Sequence, residues 1–138
     1  MEIHVNNHQD KVMLEDSYFR VIEDLVRRIL EKEDIYEYEI GVTLVDDLAI
    51  RELNNKYRGF DKATDVLSFP LTDDQGPISG DIVISMEKAL LQSEEYEHPL
   101  LRETAYLLVH GMYHILGFSH ETEEQQSAMR KKEAEILK

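Results

Sequence analysis

One segment near the C-terminus constrains the fold more than any other part of the chain. Residues 99–116 have the length of a long helix whose interior is almost wholly apolar, and Pro99 suits the first turn of such a helix. A helix that is apolar on nearly every side is normally buried, so we expect the rest of the chain to pack around it. Gly117 is expected to end it, because glycine adopts the left-handed conformation without a Cβ clash.

The same segment carries three histidines at the spacing H-x3-H-x5-H. On a helix, His110 and His114 lie on one face a turn apart, and a turn at Gly117 brings His120 back towards them. Three imidazoles with a vacant fourth position are typical of catalytic zinc. We therefore predict one zinc ion bound by His110, His114 and His120, with other divalent transition metals possible. Because the helix is expected to be buried, the first two histidines should line an interior cavity; the alternative is hydrogen-bonded core histidines.

Composition limits the remaining possibilities. The 138 residues suit a single domain, 1–138, and the absence of cysteine excludes disulfides and cysteine-ligated zinc. Neither a signal peptide nor an apolar run near the roughly 20 residues of a membrane span is apparent, so we expect a soluble cytoplasmic protein with no membrane partner. The net charge of −14 opposes nucleic-acid binding unless a local cluster supplies positive charge, and Lys56, Arg58 and Lys62 form such an exception.

Hydrophobic periodicity predicts an α+β fold with one mixed four-stranded sheet and about five helices. Asp46 or Asp47 is expected to cap the second helix, and Thr122 with Gln125 forms a possible capping box for the last. The predicted strands are 3–7, 40–44, 65–69 and 80–85, the helices are 14–32, 46–57, 86–95, 99–116 and 122–137, and 58–62 and 72–79 are connections.

The ligand set and its surroundings favour an anionic substrate. Neutral imidazoles leave the full double charge on the ion, which suits a phosphodiester better than a neutral amide. Zinc proteases of the His-Glu-x-x-His kind have their general base at the position of Gly111 in this chain. Close helix packing accounts for this glycine as well as a functional reason does. A protease would need a base from elsewhere, for example Glu121. Arg58 offers paired donors for a phosphate, although a solvated surface charge is the alternative.

Other candidates are weaker. Asp81 could orient a ligand or accept a proton, although aspartates at strand starts more often cap turns. Ser68 and Phe69 could line a groove, but a buried strand explains them as well. The remaining histidines, His4, His8 and His98, lack ligand spacing and receive no role.

Three motifs resemble those of a known family. The run from Leu53 to Pro70, LNNKYRGFDKATDVLSFP, resembles a signature of the YbeY family of bacterial metal-dependent endoribonucleases. GDIVIS from Gly80 to Ser85 and the histidine motif resemble two more in the same order, so the likeness covers essentially the whole chain. It implies that His110, His114 and His120 bind the metal and that Arg58 and His114 are catalytic.

The resemblance also implies a function. It is that of a zinc-dependent, single-strand-specific endoribonuclease in ribosomal RNA maturation and ribosome quality control, with small-subunit RNA as target and ribosome-assembly components as partners. The implied fold is metzincin-like without being that of a protease. Phe60 stands where some members carry lysine, and Ser119 where many carry aspartate. The alternatives are a non-catalytic ribosome-assembly RNA-binding factor with a structural metal and, less favoured, a metallopeptidase; the oligomeric state is left open.

Overall fold

The computed structural model describes residues 2–71, 76–118 and 122–137, without side chains for 135–137. These residues form four strands and five helices, as the periodicity predicts. The strands are β1 (Glu2–Asn7), β2 (Tyr38–Val45), β3 (Val66–Pro70) and β4 (Ile78–Ser85), and the helices are α1 (Asp16–Lys32), α2 (Asp47–Arg58), α3 (Met86–Glu95), α4 (Leu100–Ile115) and α5 (Glu123–Leu137).

The strands form one mixed sheet in the order β1-β2-β4-β3. β1, β2 and β4 run parallel, whereas β3 runs antiparallel to β4 and lies at the edge. The edge strand has only five residues, and it packs against α4. Residues of both elements line the cleft in which the predicted site lies.

Both faces of the sheet are covered by helices. Alternate residues of β2 and β4 point to opposite faces, as the pleat requires. One set packs with α1 and α4 in the main core, and the other packs with α2 in a smaller one. The sheet residues of the main core are Ile40, Val42, Leu44, Ile82 and Ile84, and those of the smaller core are Val45, Leu67 and Val83.

Gly111 allows α4 to lie very close to the sheet. A Cβ at this position would be 3.0 Å from both Ile82 Cγ2 and Ser68 Oγ, tighter than ordinary van der Waals contact. The Ser68 hydroxyl also donates a hydrogen bond of 3.2 Å to the Gly111 carbonyl oxygen. Close packing therefore explains Gly111, and a side chain there would point at the sheet rather than into a site.

The end of α4 has the geometry that the sequence predicts. Gly117 has φ of +97°, and its N–H donates to the carbonyl oxygen of His114 at 3.0 Å. The next N–H, of Phe118, donates to Tyr113 O at 2.9 Å, and the two rings meet edge to face at 5.4 Å. These bonds form a Schellman motif with its usual apolar contact.

The predicted caps are confirmed. Asp46 caps α2, its side chain accepting the Ala49 N–H at 2.9 Å. Thr122 and Gln125 exchange reciprocal hydrogen bonds of 3.1 and 3.2 Å between side chain and backbone, which is the capping box at the start of α5.

Several predicted boundaries need correction. α1 begins at Asp16 rather than at residue 14, and β4 begins at Ile78 rather than at 80 because it pairs along the whole of β2. The predicted loop 58–62 begins one residue too early, because Arg58 is the last residue of α2 and the helix is capped by Gly59, where φ is +77°. Positions 72–75 of the predicted connection lie outside the described residues. Across the ranges that the structure covers, none of the helices is long and apolar enough to cross a membrane.

Candidate metal centre

His110 and His114 face each other on one side of α4. Their Nε2 atoms are 3.1 Å apart, and the rings meet edge to face with centroids separated by 4.7 Å. Two nitrogens bound to one zinc ion at tetrahedral angles are separated by roughly 3.3 Å, given bond lengths of about 2.0–2.1 Å. The pair therefore fits a shared ion. His120, the third predicted ligand, lies outside the described residues, as do Ser119 and Glu121.

A carboxylate from another helix holds the first histidine. Glu133 of α5 is 5% exposed, and its Oε1 lies 2.9 Å from Nδ1 of His110. An ionised carboxylate only accepts hydrogen bonds, so Nδ1 carries the proton and Nε2 keeps its lone pair towards His114. Glu133 is not among the site residues predicted from the sequence. Its spacing of four residues from Met129 places both on one face of α5, and in the structure both are buried.

The histidine pair lines a cleft of about 520 Å³ between α4 and the edge of the sheet. Arg58, at the end of α2, lines the same cleft. The cavity is an open cleft rather than the interior one that the apolar helix predicts, because the side chain of His110, which lines it, is 28% exposed. The cleft thus brings Arg58, His110 and His114 together, and their roles stay predictions.

Tyr106 forms part of the cleft one turn before His110. Its ring stacks on that of His110, with centroids 6.3 Å apart and an interplanar angle of 18°. Burial raises the pKa of the Tyr106 hydroxyl, and the carboxylates of Glu133, Glu103 and Asp65 raise it further. The hydroxyl therefore stays protonated at neutral pH and can donate a hydrogen bond into the cleft.

Asp65 also lines the cleft, where it is tied to its neighbours. Its Oδ1 accepts the Val66 N–H at 2.8 Å, and its Oδ2 accepts a hydrogen bond from the Gln92 side chain at 3.3 Å. Ser68, one of the weaker sequence candidates, lines the cleft as well. These contacts fix the position of the Asp65 carboxyl group in the lining of the cleft.

Phe69 and Asp81 point to the other side of the sheet, away from the histidines. They line a separate groove of about 910 Å³ together with Tyr57, whose ring lies 5.4 Å from that of Phe69. The sequence places Asp81 at the start of a strand, but in the structure it lies inside β4, opposite Phe69 of β3. The histidine cleft therefore contains Ser68 but neither of these two candidates.

Two histidines that were given no role have clear partners. In the parallel pair β1 and β2, Glu2 lies opposite Glu39, and with His4 these residues place potential ligand atoms within 4.8 Å of one another. This is a possible metal-binding group, but all three residues are exposed and such acidic groups are common without an ion. His98 Nε2 lies 2.6 Å from Oε2 of the buried Glu103 and so joins the turn before α4 to that helix.

Comparison with known proteins identifies the family. A family model described as Endoribonuclease YbeY matches residues 4–138. The Endoribonuclease YbeY of Thermoanaerobacter sp. (strain X514) is 46% identical over 156 residues, covering 99% of this chain and 96% of the relative. That of Clostridioides difficile (strain 630) is 41% identical over 145 residues, covering 99% and 95%.

A solved fold agrees with this assignment. The solution structure of a protein from Thermotoga maritima matches with a TM-score of 0.71 and 25% identity, covering 99% of this chain and 87% of that one. The α+β fold and the family predicted from the three motifs are both confirmed. The chain belongs to the Endoribonuclease YbeY family, a family of enzymes that cut RNA.

Proposed function

We propose that this protein is a zinc-dependent endoribonuclease that cuts single-stranded RNA during ribosomal RNA maturation. The observation that carries the proposal is the cleft in which Arg58 faces the same space as His110 and His114. A cation suited to phosphate thus adjoins a pair of imidazoles suited to a divalent ion. The names of the relatives support the class of reaction.

His110, His114 and His120 would hold the ion. The Nε2 atoms of the first two are 3.1 Å apart, and three neutral nitrogen ligands suit zinc, with other divalent transition metals possible. When bound, such an ion supplies positive charge and lowers the pKa of a coordinated water to about 7. The three histidines contribute no negative charge of their own, so an anionic substrate is favoured.

The other cleft residues would bind and orient the substrate. The Arg58 guanidinium offers paired N–H donors to a phosphate and stabilises the charge that develops on it during cleavage. The protonated Tyr106 hydroxyl is a second donor, and Glu133 keeps His110 in one orientation. The sequence places no glutamate after His110, and Gly111 packs against the sheet, so a peptidase is disfavoured.

The resemblance to the family supports the finer assignment. We infer that small-subunit ribosomal RNA is the target, that ribosome-assembly components are partners, and that the protein acts in the cytoplasm in rRNA maturation and ribosome quality control. The whole chain, 1–138, then forms one hydrolase domain. A cleft lined by one arginine suits a single strand better than a duplex, because a duplex has two phosphate backbones.

Cleavage of labelled single-stranded RNA by metal-loaded protein tests the proposal. We expect His114→Ala to lower both bound zinc and the cleavage rate, and Arg58→Ala to lower the rate about 100-fold while zinc binding is kept. His8→Ala and Arg20→Ala are matched controls, because both side chains are exposed and lie outside the cleft. Full cleavage by His114→Ala protein at matched purity would overturn the mechanism.

A ribosome-assembly RNA-binding factor with a structural metal is the second candidate, and Gly111 favours it because the familiar general base after the first histidine is missing. This candidate predicts that a chelator lowers the melting temperature of the protein. It also predicts that the protein binds RNA but does not cut it. Loss of cleavage on chelation, restored by added zinc, would argue against it.

Incubation of metal-loaded protein with unfolded casein tests whether the protein is a peptidase. Casein that stays intact would exclude that activity.

A further inference from the structure

Exposed basic and aromatic side chains gather where the chain leaves α2 for β3. We call Lys56, Tyr57, Arg58, Phe60 and Lys62 the edge cluster. Its cations lie over its rings: Lys56 Nζ is 5.1 Å from the Tyr57 centroid, and Arg58 Cζ and Lys62 Nζ are 5.9 and 6.0 Å from that of Phe60. The two rings are 59% and 52% exposed, although large apolar groups usually find cover.

The cations of the edge cluster form no ion pairs among the described residues. Asp61, the acidic residue inside the segment, is bound instead by Arg51, whose Nε lies 2.8 Å from its Oδ1. This guanidinium holds the pKa of Asp61 below its usual range, so the carboxylate stays charged and paired away from the cluster.

We propose that the Phe60 ring is a stacking platform for one base of the single-stranded RNA. The proposal rests on the proposed function. Arg58 both lines the histidine cleft and lies over Phe60, so a strand whose base stacks on the ring has its phosphate beside Arg58. Aromatic platforms next to cations are the usual means of binding single strands without reading their sequence.

The distances favour exchange of a cation for a base. Cation–π attraction is appreciable only within about 6 Å of the ring centroid, and both cations of Phe60 lie at that limit. A base offers a larger stacking area, and a displaced Lys62 can then pair with a backbone phosphate. Because a base must leave its own stack to reach Phe60, the platform also selects single strands over duplexes.

Binding of short fluorescent oligonucleotides tests the platform. The probes are an oligoadenosine with methylated 2′ oxygens, checked by gel to remain intact, and an abasic oligomer of equal length. We expect Phe60→Leu to bind the oligoadenosine about tenfold more weakly and the abasic oligomer as the wild type does, because only the stacking partner is lost. Phe60→Trp should retain the binding. The salt dependence should be unchanged, since the number of cations is the same.

Tyr36→Leu is the matched control, because Tyr36 is an aromatic residue of similar exposure, 60%, between α1 and β2. Equal oligoadenosine binding by wild type and Phe60→Leu would overturn the proposal. So would an equal loss for both probes, since the ring would then serve only to hold Arg58 and Lys62.

If Phe60→Leu cuts and binds as the wild type while His114→Ala does not cut, the platform fails and the proposed function stands. If the wild type neither binds nor cuts RNA, both fail.

Discussion

Glu133 belongs to another helix than the histidine pair, yet it decides which ring nitrogen of His110 faces the cleft. The carboxylate is buried at 5% exposure and accepts the Nδ1 proton at 2.9 Å. A buried polar group without a hydrogen-bond partner costs about 1–3 kcal/mol, so the contact with His110 also stabilises the packing of α5. One hydrogen bond therefore serves both the fold and the proposed metal site.

Glu133→Gln should weaken zinc binding about 10- to 100-fold. A neutral amide holds the His110 imidazole less firmly and makes its Nε2 atom a weaker ligand for zinc. Competition with a chromophoric chelator measures the affinity, and the visible absorption of cobalt-loaded protein reports whether the ligand geometry has changed. Glu133→Asp should recover part of the affinity.

Glu124→Gln is the control for this variant, since Glu124 lies on α5 with an exposed side chain. Glutamine has nearly the shape of glutamate, so the variant is expected to fold, which circular dichroism would check. Wild-type zinc affinity and an unchanged cobalt spectrum in folded Glu133→Gln protein would show that Glu133 has only a structural role.

At the scale of elements, the sequence predicts what local signals determine. The apolar run of α4, the capping box at Thr122 and the stop at Gly117 depend on residues within a few positions of one another, and all three are found in the structure. Contacts between distant segments were not predicted. Glu133 reaches His110 across 23 residues, and Glu39 meets Glu2 only through strand register.

One difference between the predicted and the observed site arose at the same scale. An apolar helix was expected to be covered on every side, but coverage depends on the length of the neighbouring strand. β3 ends at Pro70 and, among the described residues, forms the edge of the sheet, beside the cleft that α4 also lines. The length of an edge strand depends on its pairing with distant segments of the chain. The hydrophobic pattern of one helix carries no information about that pairing.

Gly117→Ala should lower the free energy of unfolding by about 1–2 kcal/mol, because φ of +97° is costly for a residue with a Cβ. Among the described residues, no atom beyond the two chain neighbours lies within 4 Å of the added Cβ, so the expected effect comes from backbone strain. Urea unfolding with chelator present measures it without a contribution from bound metal. Gly117→Asn should cost less, since asparagine tolerates the left-handed region. Equal stability of the alanine variant and the wild type would contradict the assigned role of Gly117.

For the molecule as a whole, the distribution of charge matters more than the total. The net charge is −14, yet Arg58 lies at the cleft and the edge cluster has three cations without carboxylate partners in the part of the chain that the structure describes. Repulsion from the acidic surface acts at long range and is screened over about 10 Å at 0.1 M salt. The cluster acts at contact, where the screening matters less. RNA is therefore expected to bind at one edge of the sheet and to be repelled elsewhere.

This arrangement predicts a shallow salt dependence for RNA binding. Each phosphate neutralised on a single strand contributes about −0.7 to the slope of log K against log salt, so three cations give a slope of about −2. Lys62→Gln should reduce the steepness by about 0.7, whereas Lys131→Gln, an exposed lysine on α5, should leave it unchanged. Fluorescence anisotropy of a labelled single strand at several salt concentrations gives these slopes. A slope of about −4 or steeper would mean that cations outside the edge cluster contact the RNA.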